Sequence, residues 1–286
     1  MLQYSINEEM LHRIPKLDGV DLEVHGPKFY WGAHTPSEYV VESGYFNRAC
    51  WIDKKGAYAD SSLRDLSLLK ALETFVPPRD IIQQVLSLPF NLCSKYYQPP
   101  KQVKWPGVVL LGQAPQDHST GYLKAFTYDL QGGCDKYIAW FTERCQEYTS
   151  DLFIKMHPFV LDSYPLAHLF YEIADRNGCT YGTCHMSVID ECSKVIFYNS
   201  TAIVDCWMRG VPYQQYEAGT FDSIPPELGR QMVHFLMWKY CLPVEHERET
   251  WESIFSLYHN STELWPLPSK LSWGQWAVDN LLTKET

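Results

Sequence analysis

Three polar segments of this chain each follow a short apolar run, and their residue types suit the binding of an anion. In chain order they hold Gln113 and Asp117, then Lys155 and His157, then Asn199, Ser200 and Thr201. Lysine and imidazole groups bind phosphate oxygens, and backbone N–H groups at the start of a helix bind anions at its positive end. If the three apolar runs are neighbouring strands, these segments form one phosphate-binding edge.

The third segment is the most informative of the three. It lies in Val195-Ile-Phe-Tyr-Asn-Ser-Thr-Ala-Ile-Val-Asp205, where an apolar run, a polar elbow and a short helix ended by Gly210 predict a strand–turn–helix unit. Asp205 could reach a ribose or sugar hydroxyl from the first turn of that helix. Alternatively, Ser200 and Thr201 only cap the N-terminus of the helix, and Asp205 is an acid that the helix dipole stabilises.

Candidate catalytic groups lie in the first hundred residues. Glu42, Asp53 and Asp60 are candidate general bases, and Arg48 is a candidate substrate-binding residue that could pair with a phosphate or carboxylate. The alternative for each is ordinary loop charge. Among the carboxylates we expect Asp53 first, because two lysines follow it and would favour its ionised form.

Composition excludes several classes of protein. The net charge of −10 over 286 residues argues against a broad basic surface for nucleic acid. The polar start of the chain is not a signal peptide, no apolar run approaches a membrane span, and the nine cysteines form no C-x-x-C pair. We therefore expect a cytoplasmic protein. No Asp-x-Asp motif or common zinc spacing occurs, so we expect no metal and no cofactor.

Apolar periodicity predicts alternating strands and helices after residue 100. The predicted elements are helices at Ser62–Phe75, from Ile81 and at Asp135–Tyr148, strands at Val108–Leu111, Leu152–Ile154 and Val195–Tyr198, a helix before Gly178, and a capping box from Ser187 to Asp190. Such alternation predicts a parallel sheet covered on both faces. We expect an irregular N-terminal lobe over 1–100, a Rossmann-like lobe over 101–222, and C-terminal helices over 223–286.

The same residues fall into an ordered series of short motifs between about residues 40 and 222. They are Glu42-Ser-Gly-Tyr-Phe-Asn-Arg48; Asp53, Gly56, Tyr58 and Asp60; Ser94-Lys95-Tyr96; Gly112, Gln113 and Asp117; Lys155, His157 and Pro158; and Ser200, Thr201, Asp205, Gly210 and Pro212. This series resembles the capsule-polysaccharide-biosynthesis family of glycosyltransferases, which includes bacterial Kdo transferases. The chain departs from the family at Ser43, where the family has an Asp that can act as a nucleophile, and at Asp205, which replaces a Glu.

The resemblance implies an α/β fold of the GT-B type, with two Rossmann-like lobes that hold parallel sheets, and C-terminal helices that pack back across them. It implies a glycosyltransferase whose nucleotide-sugar donor, a co-substrate, lies on the second lobe. Gln113, Asp117, Lys155, His157, Asn199, Ser200, Thr201 and Asp205 would bind this donor.

The acceptor stays open at this point. A saccharide hydroxyl is the first expectation. The alternatives are a hydroxymethylated base in viral DNA, for which Arg48, Lys54, Lys55, Arg64, Lys101 and Lys104 could form a local basic rim, and a catalytically inactive nucleotide-sugar-binding protein, which Ser43 suggests. The sugar, the stereochemical outcome and the oligomeric state also stay open.

Overall fold

The computed structural model describes residues 29–31, 39–46, 48–55, 61–88, 102–113, 132–157 and 167–282. The chain divides into two compact units, the first made of Met1–Tyr97 with Ser223–Thr286 and the second of Gln98–Asp222. Within the described ranges, no helix combines the length and the apolar character needed to cross a bilayer.

The elements are numbered in chain order. The strands are β1 (Phe29–Trp31), β2 (Tyr39–Ser43), β3 (Ala49–Asp53), β4 (Val108–Leu111), β5 (Leu152–Lys155), β6 (Thr180–Gly182), β7 (Lys194–Phe197), β8 (Tyr213–Gln215) and β9 (Cys241–Pro243). The α-helices are α1 (Ser67–Thr74), α2 (Ile82–Ser87), α3 (Gly132–Tyr148), α4 (Ala167–Arg176), α5 (Ile203–Arg209), α6 (Gly229–Phe235), α7 (Arg248–Asn260) and α8 (Trp273–Ala277). Helices α6 and α8 continue into π-helical turns at Leu236–Tyr240 and Val278–Leu282.

The second unit is built on a five-stranded parallel sheet in the order β6-β5-β4-β7-β8. Counted within the unit, this is the order 3-2-1-4-5 of a Rossmann-type fold, whose chain direction reverses between β4 and β7. The central strands are apolar and buried over most of their length, as a parallel sheet covered on both faces requires. The α/β class and the Rossmann-like sheet predicted from the sequence are confirmed.

Helices of the second unit end where the sequence predicts. Gly178 follows α4 with a φ of 68°, and the N–H of Cys179 donates to the Ala174 carbonyl at 3.0 Å. Gly210 follows α5 with a φ of 67°, and the N–H of Val211 donates to the Cys206 carbonyl at 3.0 Å. Glycine adopts this left-handed conformation without strain, which explains both stops.

The first unit departs from the expected parallel sheet. Its described strands form a mixed sheet in the order β1-β2-β3-β9, in which β1 and β2 are parallel and β2-β3 and β3-β9 are antiparallel. The expectation of an irregular N-terminal region is wrong for these strands, and the expectation of helices over 223–286 is wrong for β9. Strand β9 forms because Cys241 and Leu242 pair with β3, a partner far away in sequence that no local pattern can reveal.

Two local predictions also need correction. The predicted helix Ser62–Phe75 is a 3₁₀ turn at Ser62–Arg64 followed by α1, since the Asp65 carboxylate accepts the Ser67 N–H at 2.9 Å and starts a new helix there. The predicted capping box is replaced by a 3₁₀ turn at Met186–Ile189, where His185 Nδ1 accepts the Ser187 N–H at 3.2 Å.

Candidate functional site

The predicted polar segments that the structure describes meet at the carboxyl end of the parallel sheet. Leu111 of β4 pairs with Lys155 of β5 on one side and with Phe197 of β7 on the other. The residues that follow these strands therefore lie side by side at the point where the chain direction reverses, which is where open α/β sheets bind ligands. We call Gln113, Lys155, His157, Asn199 and Ser200 the polar edge.

Gln113 and Asn199 form a reciprocal pair across the polar edge. Gln113 Nε2 donates to Asn199 Oδ1 at 2.8 Å, and the Asn199 N–H donates to Gln113 Oε1 at 2.7 Å. The N–H of Gln113 donates to the Tyr137 hydroxyl at 2.9 Å. Both amide side chains are buried, so the pair links the ends of β4 and β7 and fixes the shape of the edge between them.

Lys155 is a buried cation at the end of β5. Only 9% of the residue is exposed, and none of the described carboxylates lies within ion-pair distance of its ammonium group. Burial lowers the pKa of Lys155, while the nearby Cys184 and Asp205 oppose that shift. An anion that binds beside a buried charge of this kind stabilises it, which makes Lys155 the strongest anion-binding candidate among the described residues of the second unit.

Gly112 allows the ends of β4 and β5 to approach closely. Its N–H donates to the Lys155 carbonyl at 2.9 Å. A Cβ at this position would lie 3.2 Å from that carbonyl oxygen and 3.4 Å from the His157 nitrogen. The glycine therefore brings Gln113 next to Lys155 and the half-buried His157.

The elbow after β7 uses much of its own hydrogen-bonding capacity. The Ser200 hydroxyl accepts the Ala202 N–H at 3.2 Å, and the Thr201 carbonyl accepts the Val204 N–H at 3.1 Å. Helix α5 has only seven residues, so its dipole is small. The structure places Ser200 and Thr201 at the edge, half-buried, but the free N–H groups expected from the sequence are partly occupied by the turn itself.

Asp205 and His185 add charge and polarity around Lys155. Asp205 lies half-buried in the first turn of α5, and its charge partly opposes the lowering of the Lys155 pKa by burial. His185 follows β6 and was not among the predicted site residues. Burial lowers the pKa of His185 to about 4, and the positive charges of Arg209 and Lys155 add to that effect. The sequence does not predict a strand before His185, because β6 has only three residues, one exposed and two half-buried, and therefore forms no apolar run.

Asp53, the first-ranked base, is enclosed in the first unit. It is 0% exposed and accepts hydrogen bonds from the Ser61, Ser62 and Tyr240 hydroxyls at 2.7, 2.8 and 2.8 Å. It also accepts the N–H groups of Ser62 at 2.8 Å and Lys55 at 2.8 Å. A carboxylate with this many donors holds the chain between β3 and the Ser62–Arg64 turn, and such a group is poorly suited to remove a proton from a substrate.

The other predicted residues of the first unit are only partly described. The backbone of Glu42 lies in β2 opposite Trp51, and its side chain is outside the described residues. Arg48 has a φ of 56° and forms an ion pair with Glu245. Asp60 of this unit and Asp117 of the second unit lie outside the described ranges.

The basic residues considered for DNA are largely engaged with acids or carbonyls. Lys55 pairs with Asp65, and Lys104 pairs with Glu191. Lys54 donates to the carbonyl of Ser261 and, at 2.9 Å, to that of Glu263. With the ion pair of Arg48, three of the six residues considered for a basic rim are paired with acids, which reduces the positive charge that a phosphate backbone would meet.

Comparison with known proteins gives a distant structural likeness. Neither a family model nor a curated protein matches this sequence. Among solved structures, the chain is similar to Thermosulfurimonas dismutans KpsC, described as a beta Kdo 2,7 transferase, with 18% identity over 79% of this chain and 82% of that one. The TM-score is 0.45, so the likeness is loose and assigns no role to any residue.

Proposed function

We propose that this chain is a glycosyltransferase that binds a nucleotide-activated sugar at the polar edge of its second unit. The observation that carries the proposal is Lys155, a buried lysine with no described carboxylate at ion-pair distance, beside the Gln113–Asn199 pair at the reversal point of a Rossmann-type sheet. Nucleotides bind at this place in open α/β sheets. The ordered motifs between residues 40 and 222 support a sugar nucleotide over other nucleotides.

Five side chains at or beside the polar edge have a role in this proposal. Lys155 and His157 bind the donor phosphate, and Asp205 accepts a hydroxyl of the ribose or the sugar. Gln113 and Asn199 hold the strand ends in place. Because Lys155 brings positive charge near the leaving phosphate, the reaction does not need a metal ion to stabilise that charge.

The general base belongs to the first unit in this proposal. Glu42 and Asp60 rank ahead of Asp53, since the oxygens of Asp53 are occupied by five donor groups and the residue is fully buried. Removal of a general base lowers the rate by about 10²–10⁴-fold. We therefore expect Glu42→Gln or Asp60→Asn to lose that much turnover while nucleotide binding is kept.

A saccharide is the favoured acceptor. The ion pairs of Arg48, Lys55 and Lys104 and the net charge of −10 disfavour a DNA duplex. A protein that only binds the donor is the second candidate, because Ser43 stands where the resembled family has a nucleophile.

Donor turnover tests the proposal. The chain is incubated with a panel of nucleotide sugars, with and without a pool of saccharide acceptors, and release of free nucleotide is measured. We expect release with one donor class, faster when acceptor is present, and lost in Lys155→Met. Binding without release in any mixture would identify a binding protein, and no binding of any nucleotide sugar would overturn the proposal.

A further inference from the structure

Four aromatic rings gather beside the polar edge, at the carboxyl ends of β7 and β8. Tyr198 lies 5.3 Å from Tyr137 and 5.4 Å from Trp140, measured between ring centroids and in edge-on geometry. Tyr216 lies 5.5 Å from Tyr198 and 6.0 Å from Trp140. We call Tyr137, Trp140, Tyr198 and Tyr216 the aromatic cluster.

The aromatic cluster lies directly beside the polar edge. Tyr198 directly precedes Asn199, which pairs with Gln113. The N–H of Tyr216 donates to the carbonyls of Phe197 and Tyr198, both at 3.1 Å, so the backbone of Tyr216 continues the pairing of β8 with β7. A ligand with its phosphate at Lys155 and His157 would therefore extend along the edge toward these rings.

The Tyr198 hydroxyl is a buried donor that the described residues leave without a hydrogen-bond partner. The residue is fully buried, and its hydroxyl has no hydrogen-bond partner among the described residues. Burial raises the pKa of Tyr198 to about 12, and the nearby Glu217 adds to the shift. The hydroxyl is thus protonated at neutral pH, and it can donate to a ligand acceptor that reaches it.

Tyr216 supplies an exposed aromatic surface. It is 53% exposed, although its ring packs against two others of the cluster. Its backbone is held by β7, so the ring is positioned before a ligand arrives. A preplaced, half-exposed ring next to a buried donor matches what a nucleobase needs, namely a flat surface for stacking and a hydrogen bond to one of its ring edges.

We infer that Tyr216 and Tyr198 form the nucleobase subsite of the donor, with Tyr216 stacking on the base and the Tyr198 hydroxyl donating to a carbonyl oxygen or ring nitrogen of the base. This inference rests on the proposed function, because it places the base of the same donor whose phosphate binds Lys155. The subsite selects the nucleotide, whereas the polar edge binds the part that all nucleotides share.

The test compares ligands with and without a base. Dissociation constants are measured by calorimetry for CMP, UMP, AMP, GMP and ribose 5-phosphate, using the wild type, Tyr216→Leu and Tyr198→Phe. Tyr213→Phe is the matched control, because Tyr213 lies on β8 and its hydroxyl accepts the Trp207 N–H at 3.1 Å, away from the cluster. Melting curves check that each variant is folded, and Tyr198→Phe keeps the ring and its packing.

We expect the wild type to bind its preferred nucleotide more tightly than ribose 5-phosphate. Tyr216→Leu should weaken nucleotide binding by at least about fivefold through lost stacking. Tyr198→Phe should weaken it about threefold to tenfold through the lost hydrogen bond. Neither variant should change ribose 5-phosphate binding, and Tyr213→Phe should match the wild type.

Three results would overturn the inference. If the wild type binds a nucleotide and both cluster variants bind it equally well, the base lies elsewhere and the proposed function stands. If the variants weaken ribose 5-phosphate as much as the nucleotide, the cluster supports the sugar phosphate rather than the base. If the wild type binds none of the nucleotides, the subsite and the proposed donor site fail together.

Discussion

Burial acts in opposite ways on two charged side chains, Asp53 and Lys155. Asp53 is fully enclosed, and its oxygens accept hydrogen bonds from hydroxyl and N–H donors, so the carboxylate is stabilised by the fold. Lys155 is nearly as buried, yet no described carboxylate lies within ion-pair distance of it. The first residue therefore stabilises the protein, and the second is suited to bind a ligand.

Asp53→Asn should destabilise the first unit strongly. The substitution replaces an acceptor oxygen by an N–H donor that faces the Ser61, Ser62 and Tyr240 donors, and lost hydrogen bonds to a buried charge cost about 2–4 kcal/mol. Urea unfolding measures the change, with Asp279→Asn on an exposed helix end as the control. Normal stability with lost turnover would instead restore Asp53 as the base.

His185 should make the stability of the second unit depend on pH. Its folded pKa is about 4, against an ordinary value of 6.5. Between these values the unfolded histidine binds a proton that the folded one does not, so stability falls as the pH drops from about 6.5 to 4, by at most about 3 kcal/mol.

Urea unfolding of the wild type and His185→Asn at pH 7.5, 6 and 5 measures this effect. Asparagine can accept the Ser187 N–H in place of Nδ1 but does not titrate. We expect a flatter pH dependence for the variant. Identical slopes for the two proteins would show that the folded imidazole takes up its proton near the ordinary pKa.

At the scale of elements, Gly112 couples the end of β4 to the end of β5. Gly112→Ala should strain this contact, since its Cβ would lie 3.2 Å from the Lys155 carbonyl. Overpacking strain of about 1–3 kcal/mol at the polar edge should weaken nucleotide binding about tenfold. Calorimetry measures this, with Gly182→Ala as control, because a Cβ there has no atom within 4 Å. Equal binding by both variants would show that the close approach is not needed.

The sequence predicted the second unit better than the first for a physical reason. Strands β4, β5 and β7 are buried apolar runs that alternate with helices, and each run can be recognised from a few consecutive residues. Strand β9 joins β3 only through the folded sheet, and it follows a π-helical turn in a segment with helical periodicity. Likewise, Gln113 and Asn199 could each be placed at a strand end, but their pairing depends on the strand order.

At the scale of the whole molecule, the distribution of charge decides whether a leaving phosphate needs a metal ion. The chain carries a net charge of −10, yet Lys155 brings positive charge to the polar edge, and this charge also acts on the nearby His185. This local charge can stabilise a leaving phosphate in a protein that is acidic overall.

Sugar transfer should survive chelation. We expect the same rate with and without EDTA, measured by release of nucleotide from the donor. Loss of activity in EDTA, restored by Mg²⁺ or Mn²⁺, would show that a metal ion supplies the charge that we assign to side chains.

The most direct measurement is nucleotide binding by Lys155→Met and Lys194→Met. Both lysines lie in the parallel sheet, but Lys155 ends β5 at the polar edge, whereas Lys194 begins β7 at the opposite end, where it donates to the Tyr148 hydroxyl at 2.8 Å. A lost charge-assisted hydrogen bond of about 1.5–3 kcal/mol predicts that Lys155→Met binds the preferred nucleotide at least about tenfold more weakly in calorimetry. Lys194→Met should bind it like the wild type. Equal affinity in all three proteins, or no nucleotide binding by the wild type, would contradict the donor site at the polar edge.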